Sequence, residues 1–136
     1  MASKTGAWLA SFASQLVSPA SSIVSASIGP VSDRTAFPVA FVSAELVDVN
    51  LDIRTALDCR YEVTVLIQGK SSEQVWLAWD ELLVLLVPYG SANAMYASGV
   101  NFLSPLRGNP PHGAAAGTNE LIEGTLVFDV RCRYAY

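Results

Sequence analysis

Charge is what this sequence has least of. Charged residues make up 15% of its 136 positions, against roughly a quarter in an average soluble domain. Apolar residues make up 51%. That balance excludes a chain disordered along its whole length, because there is ample apolar surface from which to form a core. With so few charges, part of the surface is expected to be covered by a partner, most simply by copies of the same chain. A rather hydrophobic monomer is the alternative. Twelve Asp and Glu outnumber eight Lys and Arg, for a net charge of −4 and a sequence pI of about 4.7. The cations are scattered, so the basic stripe that specific nucleic-acid binding relies on is missing. An acidic wall that lets nucleic acid pass without holding it is compatible with this balance.

Histidine and cysteine are nearly missing as well. There is one histidine and there are two cysteines, with no CxxC pair, so a Cys/His metal site has no support. His112, within NPPHG, reads as a solvated loop residue rather than a catalytic one. Cys59 and Cys132 fall on the apolar parity of expected strands. They read as buried thiols; a disulfide is the alternative and would require the two strands to be neighbours. No GxSxG elbow and no glycine-rich phosphate loop after a strand occurs, which removes two common routes to hydrolysis and nucleotide binding. No cofactor is expected. Long apolar runs are also lacking: nothing approaches the roughly 18 residues of a membrane-spanning helix. Lys4 followed by AWLASFASQLV loosely imitates a signal peptide, but Ser11, Ser14, Gln15 and Ser18 interrupt it. The segment is read as a helix of the mature protein.

What is present is strong alternation. In LIEGTLVFDVRCRYAY (121–136), Ile122, Leu126, Phe128, Val130, Cys132, Tyr134 and Tyr136 share one parity, while Glu123, Thr125, Asp129, Arg131 and Arg133 share the other. That predicts a β-strand with one apolar and one charged face. From Val47 to Ile67 the odd positions are largely apolar and the even ones largely polar, too long for one strand. A hairpin turning within Asn50 to Ala56 is expected, with a tip that projects beyond the sheet. FPVAFVSAELV (37–47) is a further strand, apolar on both parities at its start and so covered on both sides there.

Two helices are expected. The first spans residues 5 to about 17, with Trp8, Leu9, Phe12, Leu16 and Val17 on one stripe and Thr5 as N-cap. Pro19 is predicted to kink it or to start a second helical turn through Ser27. The second spans 71 to 88, opened by a Ser71/Gln74 capping box and stopped by Pro88 and Gly90. Its core stripe is Val75, Trp79, Leu82, Leu83 and Leu86. Trp76, Leu77, Val84, Leu85 and Val87 widen the apolar surface almost all round, so more than the sheet should bury it. Residues 99–106 are expected as a strand and 107–120, rich in Pro, Gly and Ala, as a loop without periodicity. These elements predict a single α+β domain over 1–136: a helical N-terminal segment (1–30), a mostly antiparallel sheet with two helices on one face, and a flexible 107–120 loop.

The carboxylates Asp48, Asp52, Asp58 and Glu62 share the polar face of the hairpin. Paired acids can serve acid/base chemistry or hold a cation; a solvated face that resists edge aggregation, with cross-strand pairing to Arg54, Arg60, Arg131 and Arg133, is the preferred reading. Trp76 and Trp79 could line a small-ligand pocket between helix and sheet, though packing is the preferred role.

The order of these parts, with a helix leading into Phe37-Pro38-Val39, an alternating hairpin ending in TVLIQG, a capped apolar helix, and a closing LVFDVRCRYAY strand, is similar to the tail terminator (tail-completion) proteins of long-tailed bacteriophages and to related neck proteins. The resemblance implies a virion protein, assembled in the host cytoplasm. It would form a homohexameric ring that ends the tail tube and joins it to the head or neck, without catalysis, cofactor or membrane. DNA would pass through unbound. The tail tube protein and neck or connector proteins would be its partners. On that reading Trp76, Leu77, Val84, Leu85, Arg131 and Arg133 are candidate subunit contacts. Asp48, Asn50, Asp52, Arg54, Arg107 and His112 are candidate contacts to the tube or neck. A head-side neck protein and a small-ligand-binding α+β accessory domain are the alternative functions.

Overall fold

A computed structural model describes residues 4–17, 22–28, 37–52, 56–86, 100–113 and 121–135. Two helices, α1 (Lys4–Leu16) and α2 (Ser72–Leu86), accompany five strands, β1 (Ser25–Ile28), β2 (Val39–Asp52), β3 (Ala56–Gly69), β4 (Val100–Gly113) and β5 (Ile122–Ala135). The strands form one sheet in the order β1-β2-β3-β5-β4. β1 is parallel to β2 and every other pairing is antiparallel. The fold is α+β, and both helices pack into one core on one face of the sheet.

Alternation builds that core. Cys59, Val63, Val65 and Ile67 from β3 meet Leu126, Phe128, Val130 and Cys132 from β5 on the same face. Trp8, Phe12 and Leu16 from α1 and Val75, Ala78 and Leu82 from α2 close over them and are fully buried. Each such large side chain contributes about 1.5–3 kcal/mol by leaving water. Phe12 packs edge-on to Phe128 at 5.9 Å and Trp8 edge-on to Tyr61 at 5.3 Å. Trp8 also donates its indole N–H to Tyr134 Oη at 3.1 Å, and Thr5 shares a 2.8 Å hydrogen bond with the same oxygen. Thr5 therefore ties α1 to β5 rather than capping the helix start at Lys4. At α2 the capping box is present but displaced. Gln74 N–H bonds Ser71 Oγ at 3.2 Å, while Gln74 Oε1 accepts from Lys70 N–H, one residue before the cap, at 2.8 Å.

Four expectations change. Ser25–Ile28 is a strand, not part of a helical turn, because its backbone pairs with Val39–Val42; residues 18–21 lie outside the described set. The expected strand 37–47 and the outgoing arm of the hairpin are one continuous strand. A bulge between Leu46 and Asp48 moves the core-facing parity from even (Ala40, Val42) to odd (Val49). The hairpin does not project alone: β5 accompanies β3 from Gly69↔Ile122 to Ala56↔Ala135. Residues 107–113 belong to β4 and pair with β5 as far as Gly113↔Ile122. Residues 114–120, Pro88 and Gly90 lie outside the described residues.

Candidate functional site

α2 lies almost in contact with the backbone of the sheet, and glycines make that possible. A Cβ on Gly108 of β4 would collide with the Trp79 ring and come within 2.7 Å of the Thr125 carbonyl oxygen. A Cβ on Gly124 of β5 would stand 3.1 Å from Val75 Cγ1. Trp79 therefore fills the space where a pocket between helix and sheet was considered. Trp76 stacks edge-on against it at 5.3 Å.

The side of α2 turned away from the sheet exposes large apolar side chains beside Asp80 and Glu81. Trp76 and Leu77 are about half exposed and Val84 is 75% exposed, while Leu85 is half-buried. Asp80, Glu81, Val84 and Leu85 line a shallow groove of about 380 Å³ on this side. The N–H of Ser22 donates to Glu81 Oε2 at 2.5 Å and fastens the segment before β1 to the helix.

The sheet face opposite the helices carries the charge. Glu45, Glu62 and Asp129 stand in one row across β2, β3 and β5, with carboxylates directly opposite one another, an arrangement that costs stability unless cations intervene. Two do. Arg60 Nε donates to Asp129 Oδ1 at 2.7 Å, and Arg107 forks onto both Glu62 oxygens at 3.0 and 3.2 Å. The Arg107 hydrogen bond holds the Glu62 carboxyl below the usual carboxylate range, against an opposing push from burial. Its Glu62 bond likewise raises the Arg107 guanidinium, and the Asp129 bond raises Arg60. Arg131 approaches Asp129 at 3.9 Å, Arg133 approaches Asp58 at 3.5 Å, and His112 Nε2 lies 3.6 Å from Glu123. Asp129 is only 7% exposed. Glu45, which completes the row, was not singled out from the sequence, and Asp129 only as one of the charged parity of the last strand. The bulge hides Glu45's face, and the row exists only through long-range register.

The candidate subunit contacts therefore divide. Trp76, Leu77, Val84 and Leu85 sit on the helix layer; Arg131 and Arg133 sit on the opposite sheet face. The candidate tube contacts divide as well. Asp48 is in the row of Arg60 and Arg131, whereas His112 pairs with Glu123, about 27 Å away at roughly 3.4 Å per residue along β5. Arg107 lies between them. Arg54 and the side chains of Asn50 and Asp52 lie outside the described residues.

Cys59 and Cys132 are direct cross-strand partners, both buried and neither in a disulfide. Burial, then the charge of Asp58, pushes the Cys59 thiol up. Among the described residues no group of three His, Cys, Asp or Glu could hold a metal ion, and no helix is long and apolar enough to cross a membrane. No protein-family model matches the chain, and no curated protein matches it.

Proposed function

We propose that this chain is a structural virion protein whose copies form a ring that ends a phage tail tube and joins it to the head or neck. One observation carries the reading: the outward side of α2 presents Trp76, Leu77 and Val84 to solvent on a helix that already has a complete inner core stripe. A soluble chain with few charges leaves such a face open when another subunit covers it. A contact between two different surfaces of neighbouring copies generates a closed ring when the rotation closes. The charged sheet face suits a wall past which DNA moves, because its arginines are already engaged by carboxylates and present little free positive charge to phosphates. The subunit face is Trp76, Leu77, Val84 and Leu85; Arg131, Arg133 and Asp48 lie where the sheet's charged face meets a neighbour or the tube.

Native mass spectrometry with negative-stain imaging tests this. The expected species is a six-fold ring with an open centre, and charge introduced at Val84 should disperse it. A monomer at all concentrations that is also not captured by tail tubes would refute the reading.

A further inference from the structure

The two edges of the sheet are built differently. β4, at one edge, carries Pro105, Pro110 and Pro111, and its pairing with β5 is broken by three register shifts. Proline withholds backbone donors and bulges twist an edge away, so β4 is closed to a further strand. β2 lies toward the other edge. β1 covers only Val39–Val42. Among the described residues no strand pairs with the outer side of β2 beyond that, and Ser43 through Val49 are all exposed. This stretch has no proline and a single bulge. Its core-side row holds Leu46 and Val49, 50% and 44% exposed, which are open apolar residues on an open edge.

Its charged row holds Glu45 and Asp48. On that face Asp58, Glu62 and Asp129 each have an arginine within 4 Å, and Glu123 has His112 Nε2 at 3.6 Å. Glu45 and Asp48 form no ion pair among the described residues. Arg107 feels the charge of Glu45 and Arg60 that of Asp48, but these arginines are bonded to Glu62 and Asp129. Asp48 stands opposite Arg60 in register, but Arg60 is bonded to Asp129, so among the described residues the ion pairs of this face stop one strand short, at the open edge.

We infer that the β2 edge from Ser43 to Val49 accepts an extended strand of another protein, one carrying Lys or Arg on one parity and apolar side chains on the other. The incoming backbone satisfies the open edge groups in line with β1. Its cations complete the rows of Glu45 and Asp48, and its apolar side chains cover Leu46 and Val49. A second copy is a poorer occupant: β2 against β2 in antiparallel register about the bulge sets Glu45 opposite Asp48, acid on acid. The inference does not rest on the ring. It uses the β2 edge rather than the outward side of α2, sharing only Asp48 with the proposed tube or neighbour contacts, and it holds for a monomer equally.

The test is hydrogen exchange read at residue level, with a heptapeptide of alternating lysine and valine and a matched heptapeptide of alternating glutamate and valine. It is run on the wild-type chain and on the Val84→Glu variant, in which ring contacts are weakened, so that loss of assembly and loss of strand capture are read separately. The lysine peptide should slow exchange at residues 43–49 by about tenfold or more, as a local opening is suppressed. The effect should fade as salt rises, because exposed pairs are screened. Glu45→Lys combined with Asp48→Lys, both at exposed sites that tolerate substitution, should transfer the preference to the glutamate peptide. Absence of protection with either peptide, equal protection by both, or protection on β4 would overturn the inference. Protection of 43–49 that rises with protein concentration alone would also overturn it, because it would make a second copy the occupant.

Discussion

On one side of β3 and β5, Val63, Val65, Phe128 and Val130 lose all contact with water; on the other side of the same strands Arg60 and Arg131 pair with Asp129, and Glu62 pairs with Arg107 of β4. The chain alternates between these environments residue by residue. The difference separates two jobs. The helix-covered face supplies the free energy of folding through burial and close packing. The open face supplies little net stability, because exposed ion pairs are screened and entropically costly. What it supplies is an ordered charged surface; register is held by the alternation itself, since a slip of one residue would turn the apolar set to water.

The largest effect should come from the covered face. Trp8→Ala removes a fully buried ring and the donor to Tyr134 Oη, and is expected to cost about 3–5 kcal/mol in denaturant unfolding. Gly108→Val comes next: its side chain has no room between Trp79 and the Thr125 carbonyl, and overpacking of this kind costs about 1–3 kcal/mol. A variant at Gly108 with wild-type stability would show that α2 is not seated on β4 as described.

The two faces also respond to pH in opposite directions. Burial pushes the Tyr134 hydroxyl up to about 12, with the Thr5 and Trp8 hydrogen bonds opposing. Its folded-state value lies above the usual one of about 10. Its contribution is complete below about pH 10 and is lost as pH rises toward 12, so melting temperature should fall through that window, less steeply in Tyr134→Phe. Glu62 is lowered, mainly by the Arg107 hydrogen bond. Its contribution is present above the usual carboxylate range and lost as pH falls through its folded value. Acid titration of melting temperature should therefore show a smaller loss that Arg107→Ala removes and added salt weakens.

Much of the covered face was legible in the sequence. The Trp8, Phe12, Leu16 stripe and the β5 alternation depend on local periodicity, which survives in any context. The second half of β4 was not legible, since Pro110 and Pro111 argue against a strand and are tolerated because β4 is an edge with no outer partner among the described residues. β1 was hidden because SASI has no pattern of its own and is a strand only by pairing with β2. The one-residue bulge near Val47 was invisible within an apparently unbroken odd-position series, so Glu45 was not placed beside Glu62. The surplus apolar residues of α2 were readable, and the structure puts Trp76, Leu77 and Val84 on its outside.

The smallest expected effect on folding accompanies the largest on assembly. Val84→Glu changes a residue that is three-quarters exposed, so its melting temperature should match the wild type to within about 0.5 kcal/mol of stability. Leu85→Glu, at a half-buried site, should lose some of each. If Val84→Glu unfolded the chain, the outer side of α2 would be core, and the division between folding and docking surfaces would fail.

Native mass spectrometry of the wild type beside Val84→Glu, at matched concentration, tests the central claim most directly. The account predicts a closed wild-type ring of six subunits and a folded, dispersed variant. A wild type that stays monomeric across the concentration range and is not captured by tail tubes, or a variant that assembles as the wild type does, would contradict it.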